Sequence, residues 1–156
     1  MLIVWNKDIF MIYTVNTSEN METIKKEIGV KAKEFGFNLY NTYSFNRIME
    51  DHGTPIKKEI TIFELCHPHG AQQALSELPE ISVYLPPSIS LYENNGCTTM
   101  STIDLTKHIN SSETDERFKA FMLILFTNLK RVMHSWDKRT SLMNRLTNKK
   151  PANSSR

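Results

Sequence analysis

The stretch from residue 60 to residue 93 constrains the fold most, because signals for a strand, a turn and a helix follow one another there directly. Apolar and polar residues alternate from Ile60 to Leu65, which is the pattern of a β-strand that ends at Cys66. Pro68 suits the first position of a helix, where its missing N–H costs nothing. Pro79 stops that helix, since a proline disfavours helical geometry at the preceding residue.

Three further strands and a tight turn are predicted after this helix. Ile81 to Leu85 is a short apolar strand, and a second strand runs from Ser88 to Glu93. The sequence Asn94-Asn95-Gly96 indicates a hairpin turn, because asparagine and glycine tolerate the positive φ that such a turn needs. Cys97 to Ile103 then forms the last strand, which is rich in small and β-branched residues.

The amino-terminal part shows a strand, an amphipathic helix and a second strand. Ile9 to Val15 is a continuous apolar run suited to a central strand. Thr17 or Ser18 can cap the helix that follows, and Gly36 ends it. From Phe37 to Phe45 the apolar period switches to two, which predicts a strand with one polar face.

A long helix is predicted near the carboxyl end, with Ser112 as its N-cap. Its apolar stripe comprises Phe118, Met122, Leu125, Leu129, Val132 and Trp136. Residues 118–126 are apolar nearly all round, so we expect one side of the helix to pack on the sheet and another on a second copy of the chain. A basic amphipathic helix lying on a membrane surface, with Trp136 as its anchor, is the alternative.

The order of these elements, together with a scattered set of residues, resembles domain-of-unknown-function family 302 (DUF302). The residues that carry the resemblance are Cys66, Pro68, Ala71, Leu75, Leu85-Pro86, Ile89 and Tyr92-Glu93. The likeness covers roughly residues 9 to 110. It implies a compact α+β fold similar to the TATA-binding-protein-like architecture, and a homodimer, but no activity. Two positions depart from the family: His67 stands where asparagine is usual, and Asp104-Leu105 stands where Asp-Pro is frequent.

We therefore predict an α+β fold with a mixed, mainly antiparallel sheet, helices packed on one face of it and a long carboxy-terminal helix. Residues 1–146 form a single domain, which suits a chain of 156 residues. Residues 147–156 have no apolar periodicity and are predicted to be a disordered basic tail.

Charge and cysteine usage bear on location and partners. From Asn128 to Arg156 there are eight lysines and arginines against one aspartate, but no nucleic-acid-binding motif accompanies them, so we do not expect nucleic acid as a partner. Only Cys66 and Cys97 are present and nothing resembles a signal peptide, which favours a reducing, cytoplasmic location. The longest apolar run, Ala120 to Phe126, is too short to span a membrane.

The sequence Cys66-His67-Pro68-His69 is the one cluster that suggests chemistry. A thiol at a helix N-terminus is favoured as a thiolate by backbone N–H groups and the helix dipole. We predict Cys66, His67 and His69 as ligand-binding residues, while a buried Cys66 with two solvent-facing histidines is the purely structural alternative. We predict no metal site, because three ligands crowded into four residues rarely face one ion.

Catalytic and cofactor motifs are otherwise missing from the sequence. There is no phosphate-binding glycine loop, nucleophile elbow or His-Glu-x-x-His, so we assign no catalytic residue and no cofactor. The sequence favours a non-enzymatic binding or interaction domain, a homodimer with a small-ligand pocket near the Cys66-His67-Pro68 turn. The alternative is a thiol-based redox or sulfur-carrier protein that uses Cys66.

Overall fold

The computed structural model describes residues 11–137 of the chain. Within this range there are five strands, β1 (Ile12–Thr17), β2 (Asn38–Ser44), β3 (Ile60–Cys66), β4 (Ser88–Asn94) and β5 (Cys97–Ile103). The same range contains five α-helices, α1 (Met21–Lys33), α2 (Phe45–Asp51), α3 (Pro68–Glu77), α4 (Thr106–Ser111) and α5 (Glu116–Met133). A 3-10 helix spans Pro79–Tyr84. The predicted basic tail, residues 147–156, lies outside the described residues, as do Ile9 and Phe10 of the first predicted strand.

The five strands form one sheet in the order β1-β5-β4-β3-β2, and each pair of neighbours in it is antiparallel. The predicted α+β fold with a long carboxy-terminal helix is confirmed. The turn between β4 and β5 is the predicted hairpin, with φ of 51° at Asn95 and 76° at Gly96. These two residues close the hairpin so that Asn94 pairs with Cys97.

One face of the sheet and the helices share a single hydrophobic core. Along β3 the buried residues Thr61, Phe63 and Leu65 alternate with less buried ones, as a strand covered on one side requires. Fully buried side chains of α1 and α5 meet this face, Ile28 and Met122 among them. The strands therefore present their apolar side to the helices.

The opposite face of the sheet is more polar. The Ser101 hydroxyl lies 3.0 Å from the Tyr92 hydroxyl and 3.1 Å from that of Thr14, which joins three neighbouring strands. The Thr99 hydroxyl donates to Asn16 Oδ1 over 2.9 Å. Side chains that bond to one another in this way satisfy their own polar groups without a covering helix.

The predicted helix caps were wrong in two places. Asn20, and not Thr17 or Ser18, caps α1 by accepting a hydrogen bond from the Glu22 N–H over 2.7 Å. Thr17 cannot serve because it still belongs to β1. Asp115 caps α5 in place of Ser112, whose hydroxyl donates instead to the Ile109 carbonyl at the end of α4.

The predicted strand from Ile81 to Leu85 was also wrong, since this segment belongs to the 3-10 helix. Pro79 begins that helix. The preceding strand, β3, is already paired with β4 on one side and β2 on the other, so the segment cannot pair with β3. Phe45, predicted as strand, instead begins α2. The short helix α4 was not predicted either.

The first half of α5 is largely covered by the same chain. Phe118, Met122 and Phe126 are buried, while Ile124 remains 60% exposed. Trp136, considered above as a membrane anchor, packs against the core, and its indole N–H donates to Glu27 Oε2 over 2.9 Å. None of the helices within residues 11–137 is both long and apolar enough to cross a membrane.

Candidate binding pocket at the Cys66 turn

The turn between β3 and α3 is fixed by hydrogen bonds on both sides. At the end of β3, the Leu65 N–H donates to the Pro87 carbonyl over 2.9 Å. Pro68 takes the predicted first position of α3, and the Ala71 N–H donates to the His67 carbonyl over 2.8 Å. The residues between strand and helix are therefore held in one conformation next to Pro87.

His67 caps α3 through its side chain. Its Nδ1 accepts a hydrogen bond from the Gly70 N–H over 3.0 Å, which satisfies one of the backbone donors that a helix start leaves unpaired. Because Nδ1 accepts here, a neutral ring carries its proton on Nε2. Asparagine, which the resemblance leads one to expect at this position, caps helices through its side-chain oxygen. The imidazole of His67 thus performs the same task with a nitrogen.

Two residues that lie just before β2 pack against this imidazole. The Phe37 ring meets it edge to face, with ring centroids 5.4 Å apart and an angle of 80° between the planes. Gly36 has φ of +84°, and a Cβ added to it would lie 2.6 Å from His67 Nε2. The closing glycine of α1 and the capping histidine of α3 therefore fit together only because residue 36 has no side chain.

A cavity of about 390 Å³ opens beside this turn. The first part of its wall comes from the β2 and β3 side of the turn and from α3: Phe37, Tyr40, Cys66, His67, Ala71 and Leu75. The second part comes from the 3-10 helix, the following loop and α5: Ser82, Tyr84, Leu85, Pro86, Pro87, Met122, Leu125, Phe126 and Leu129. Among the described residues, the wall is almost entirely apolar and contains no aspartate, glutamate, lysine or arginine.

Cys66 is the thiol of this cavity, and burial raises its pKa above the usual value. The direction is opposite to the one that a nucleophilic thiolate requires. Removal from water disfavours the charged form, and no lysine or arginine of the described part of the chain lines the cavity to offset that effect. At neutral pH this arrangement keeps Cys66 protonated.

The three predicted ligand-binding residues have different positions. Cys66 and His67 both line the cavity, whereas His69 is exposed at the second position of α3 and is not part of the wall. Across residues 11–137, no group of three or more histidine, cysteine, aspartate or glutamate side chains is gathered as a metal site would need.

Most of the wall was missed by sequence reasoning. Leu125 and Phe126 of α5 were interpreted as packing surface, and Tyr84 and Leu85 as part of a strand. A local signal was nevertheless present, because Pro79 and Pro86 bracket this stretch and a proline cannot donate to a strand ladder. The contribution of α5 has no local signal, since it depends on how distant elements pack.

The second departure from the family pattern also has a structural account. Leu105 stands where the resemblance leads one to expect proline, and its side chain is almost fully buried in the core. Asp104 before it accepts a hydrogen bond from the Thr106 N–H over 3.0 Å and pairs with Lys130 of α5 over the same distance. The leucine therefore adds core packing while the aspartate keeps the turn into α4.

Comparison with known proteins agrees with this architecture. A crystal structure of an uncharacterized conserved DUF302 protein from Bacillus stearothermophilus is similar, with a TM-score of 0.71 and 21% sequence identity. The similarity covers 81% of this chain and 98% of that one. Among curated proteins none matches. The family model of the domain of unknown function DUF302 matches residues 13–135, and the chain therefore belongs to this family.

Proposed function

We propose that this protein is a non-enzymatic binding domain that takes a small apolar ligand in the cavity beside Cys66. The observation that carries the proposal is the cavity itself, about 390 Å³ in volume and walled by apolar side chains from four parts of the chain. Pockets for small molecules usually measure roughly 300–1,000 Å³ and combine apolar walls with a few polar groups. This cavity has both features, with Cys66 and His67 among the polar groups.

The elements that line the cavity are held by hydrogen bonds and core packing, which favours a binding pocket over a packing defect. His67 is held by its cap hydrogen bond to Gly70 and by the Phe37 ring. On the other side of the cavity, Met122 and Leu129 are fully buried in the core. A pocket whose walls are already ordered costs less entropy to fill than one that must first be formed.

The thiol-based alternative uses Cys66 as a redox or sulfur-carrier group. Its raised pKa weighs against this function, because the thiolate is the reactive form. The cap geometry weighs against it as well, since Nδ1 of the adjacent His67 is already engaged by Gly70 and is not available to Cys66 as a base.

We further propose that the protein is a homodimer and that the second copy pairs along β2. This strand lies at an edge of the sheet and all 7 of its residues are exposed. It carries no charged residue and no proline, which usually protect edge strands from pairing. The ladder with β3 is irregular at Tyr40, so the regular part available for pairing is 41–44.

A screen of small apolar fragments by ligand-observed NMR tests the binding proposal. We expect fragments to bind the wild type and to lose binding in Leu75→Trp, in which the larger side chain fills the cavity from its rim. Gln73→Trp is the matched control, since Gln73 is exposed on the same helix outside the cavity, and it should retain binding. The proposal fails if no fragment binds, or if both variants bind as the wild type does.

Light scattering across a dilution series tests the dimer. We expect a dimer at micromolar concentration and a monomer for Asn41→Lys, because a lysine on each copy places like charges along the paired edges. Ile124→Lys is the matched variant on the exposed part of α5. A dimer broken by Ile124→Lys alone would place the interface on α5, and a wild-type monomer would refute dimerisation.

A further inference from the structure

We propose that the cavity beside Cys66 selects uncharged ligands: an apolar body of about two fused rings that carries one neutral hydrogen-bonding group. Carboxylates and ammonium ions of the same shape are rejected. This inference rests on the proposed binding function and names the chemical class of its ligand.

The size of the ligand body follows from the volume of the cavity. A cavity of about 150 Å³ in a protein core holds one benzene ring. The present cavity, of about 390 Å³, therefore has room for two fused rings with a short substituent. Ring-shaped bodies suit it because Phe37, Phe126 and Tyr84 supply aromatic surface to the wall.

The exclusion of ions follows from the absence of compensating charge. An ionised group moved from water into an apolar site is strongly disfavoured unless a partner charge or several hydrogen bonds compensate it. Within residues 11–137, no aspartate, glutamate, lysine or arginine lines the cavity, and burial raises the pKa of the Cys66 thiol, which favours its neutral form. An ionised ligand would thus lose its hydration without gaining a counter-ion.

The carboxylate of Glu64 does not alter this balance. Glu64 lines a separate, polar cavity of about 320 Å³ on the other side of that loop. Its Oε2 already accepts hydrogen bonds from Asn41 Nδ2 at 2.8 Å and from the Tyr43 hydroxyl at 3.1 Å. The loop from Tyr84 to Pro87 lines both cavities and separates this charge from the apolar one.

The preference for one neutral polar group follows from three residues that line the cavity and carry a hydrogen-bonding group. Cys66, Tyr40 and Tyr84 are among the lining residues, and their thiol and hydroxyls make no hydrogen bond to other described residues. Each can donate to or accept from a ligand hydroxyl or amide. A site that offers such groups favours a ligand that can pair with them over a pure hydrocarbon.

Three probes of nearly equal shape test the inference: 2-naphthalenemethanol, 2-naphthoate and 2-naphthalenemethylammonium. Their affinities for the full chain are measured at pH 7 by ligand-observed NMR competition and isothermal titration. We expect the alcohol to bind at least tenfold more tightly than either ion. The alcohol should lose binding in Leu75→Trp and keep it in Gln73→Trp.

The outcomes separate this inference from the function on which it rests. If either ion binds in the cavity as tightly as the alcohol, the selection for uncharged ligands is overturned while the binding function stands. If none of the three probes binds although other apolar fragments do, this inference alone is overturned; if no fragment binds at all, both are overturned. The same holds if a crystal structure of the full chain shows the cavity filled by the chain's own terminal residues.

Discussion

The imidazole of His67 occupies the space that a side chain at Gly36 would need: an added Cβ would lie 2.6 Å from Nε2 and 2.8 Å from Cδ2. Gly36 follows the end of α1 and His67 caps the start of α3, so a contact between the two helix ends fixes the corner from which β2 leaves. The same imidazole forms part of the cavity wall. The stability of this corner and the shape of the candidate site therefore depend on one pair of residues.

Gly36→Ala should destabilise the protein more than a positive φ alone explains. Alanine at φ of +84° costs about 1–2 kcal/mol, and the displacement of His67 adds to this. Gly53→Ala is the matched control, because Gly53 has φ of +70° but no atom of the described residues lies within 4 Å of the added Cβ. Urea unfolding measures both variants, and equal losses of unfolding free energy would show that the contact with His67 is unimportant.

His67→Ala should cost about 1 kcal/mol of unfolding free energy, because it removes the cap acceptor from the Gly70 N–H. His67→Asn should retain most of the stability, since an asparagine oxygen can accept the same hydrogen bond. Chemical denaturation of the two variants is the measurement. If asparagine destabilises as much as alanine, the main role of His67 is packing against Phe37 and not capping.

Gly70→Ala should destabilise α3, although glycine to alanine inside a helix ordinarily stabilises it by about 0.5–1 kcal/mol. The added Cβ would lie 2.8 Å from both Cδ atoms of Leu125, which is on α5. Combining Gly70→Ala with Leu125→Ala should restore part of the lost unfolding free energy. Gly29→Ala in α1 is the control, because the nearest atom to its added Cβ is 3.6 Å away.

Thermal and urea unfolding of Gly70→Ala and Gly29→Ala test this prediction. Gly29→Ala should raise the unfolding free energy while Gly70→Ala lowers it. A gain in both variants would mean that Leu125 moves aside without cost, and that the cavity wall which Leu125 helps to form is soft.

The parts of the fold that sequence predicts well are those decided within a few residues. Pro68 begins α3, Gly36 takes a positive φ after α1, and Asn95-Gly96 closes the hairpin, each for a reason of local backbone geometry. The predictions failed where contacts with distant parts of the chain determine the local structure. The segment from Pro79 to Tyr84 has strand-forming residues, but β3 is already paired on both sides, and the segment forms a 3-10 helix.

The residues of the candidate site likewise include some that the sequence could predict and others that it could not. Cys66 and His67 could be found from sequence, because the strand end and the proline after it place them at a helix start. Met122 and Leu129 could not, since their helical period shows only that they are buried and not which cavity they border. The capping role of His67 was also hidden, because histidine is not among the usual cap residues.

Cys66 should react slowly with iodoacetamide at pH 7. Burial raises the pKa of its thiol, so less thiolate is present than in a free cysteine. The alkylation rate of Cys66 is measured in the Cys97→Ser variant and compared with that of glutathione at the same pH. It should rise as the pH is raised above about 8.5, the usual pKa of a cysteine thiol. Alkylation faster than that of glutathione at pH 7 would favour the thiol-based alternative.

The same shift has a consequence for stability at alkaline pH. The folded pKa of Cys66 lies above the unfolded one, so its contribution is complete below about pH 8.5 and is lost as pH rises through the folded pKa. Cys66→Ser lacks this titration. Urea unfolding at pH 7 and pH 10 should therefore show a smaller alkaline loss in Cys66→Ser than in the wild type, and identical losses would contradict the assigned shift.

Asp104 should contribute stability that disappears in acid. Partial burial alone would raise its pKa, but hydrogen bonds from Thr106 and then the hydrogen bond and charge of Lys130 lower it below the ordinary value. The contribution is therefore complete above the unfolded pKa of about 3.9 and is lost as pH falls through the folded one. Asp104→Asn should cost about 0.5–1.5 kcal/mol at pH 7 and flatten the decline in unfolding free energy between pH 5 and pH 2. Lys130→Met leaves the Thr106 hydrogen bonds in place and should flatten the decline in unfolding free energy less. If the unfolding free energy of Asp104→Asn falls as steeply as that of the wild type, other carboxylates dominate acid unfolding.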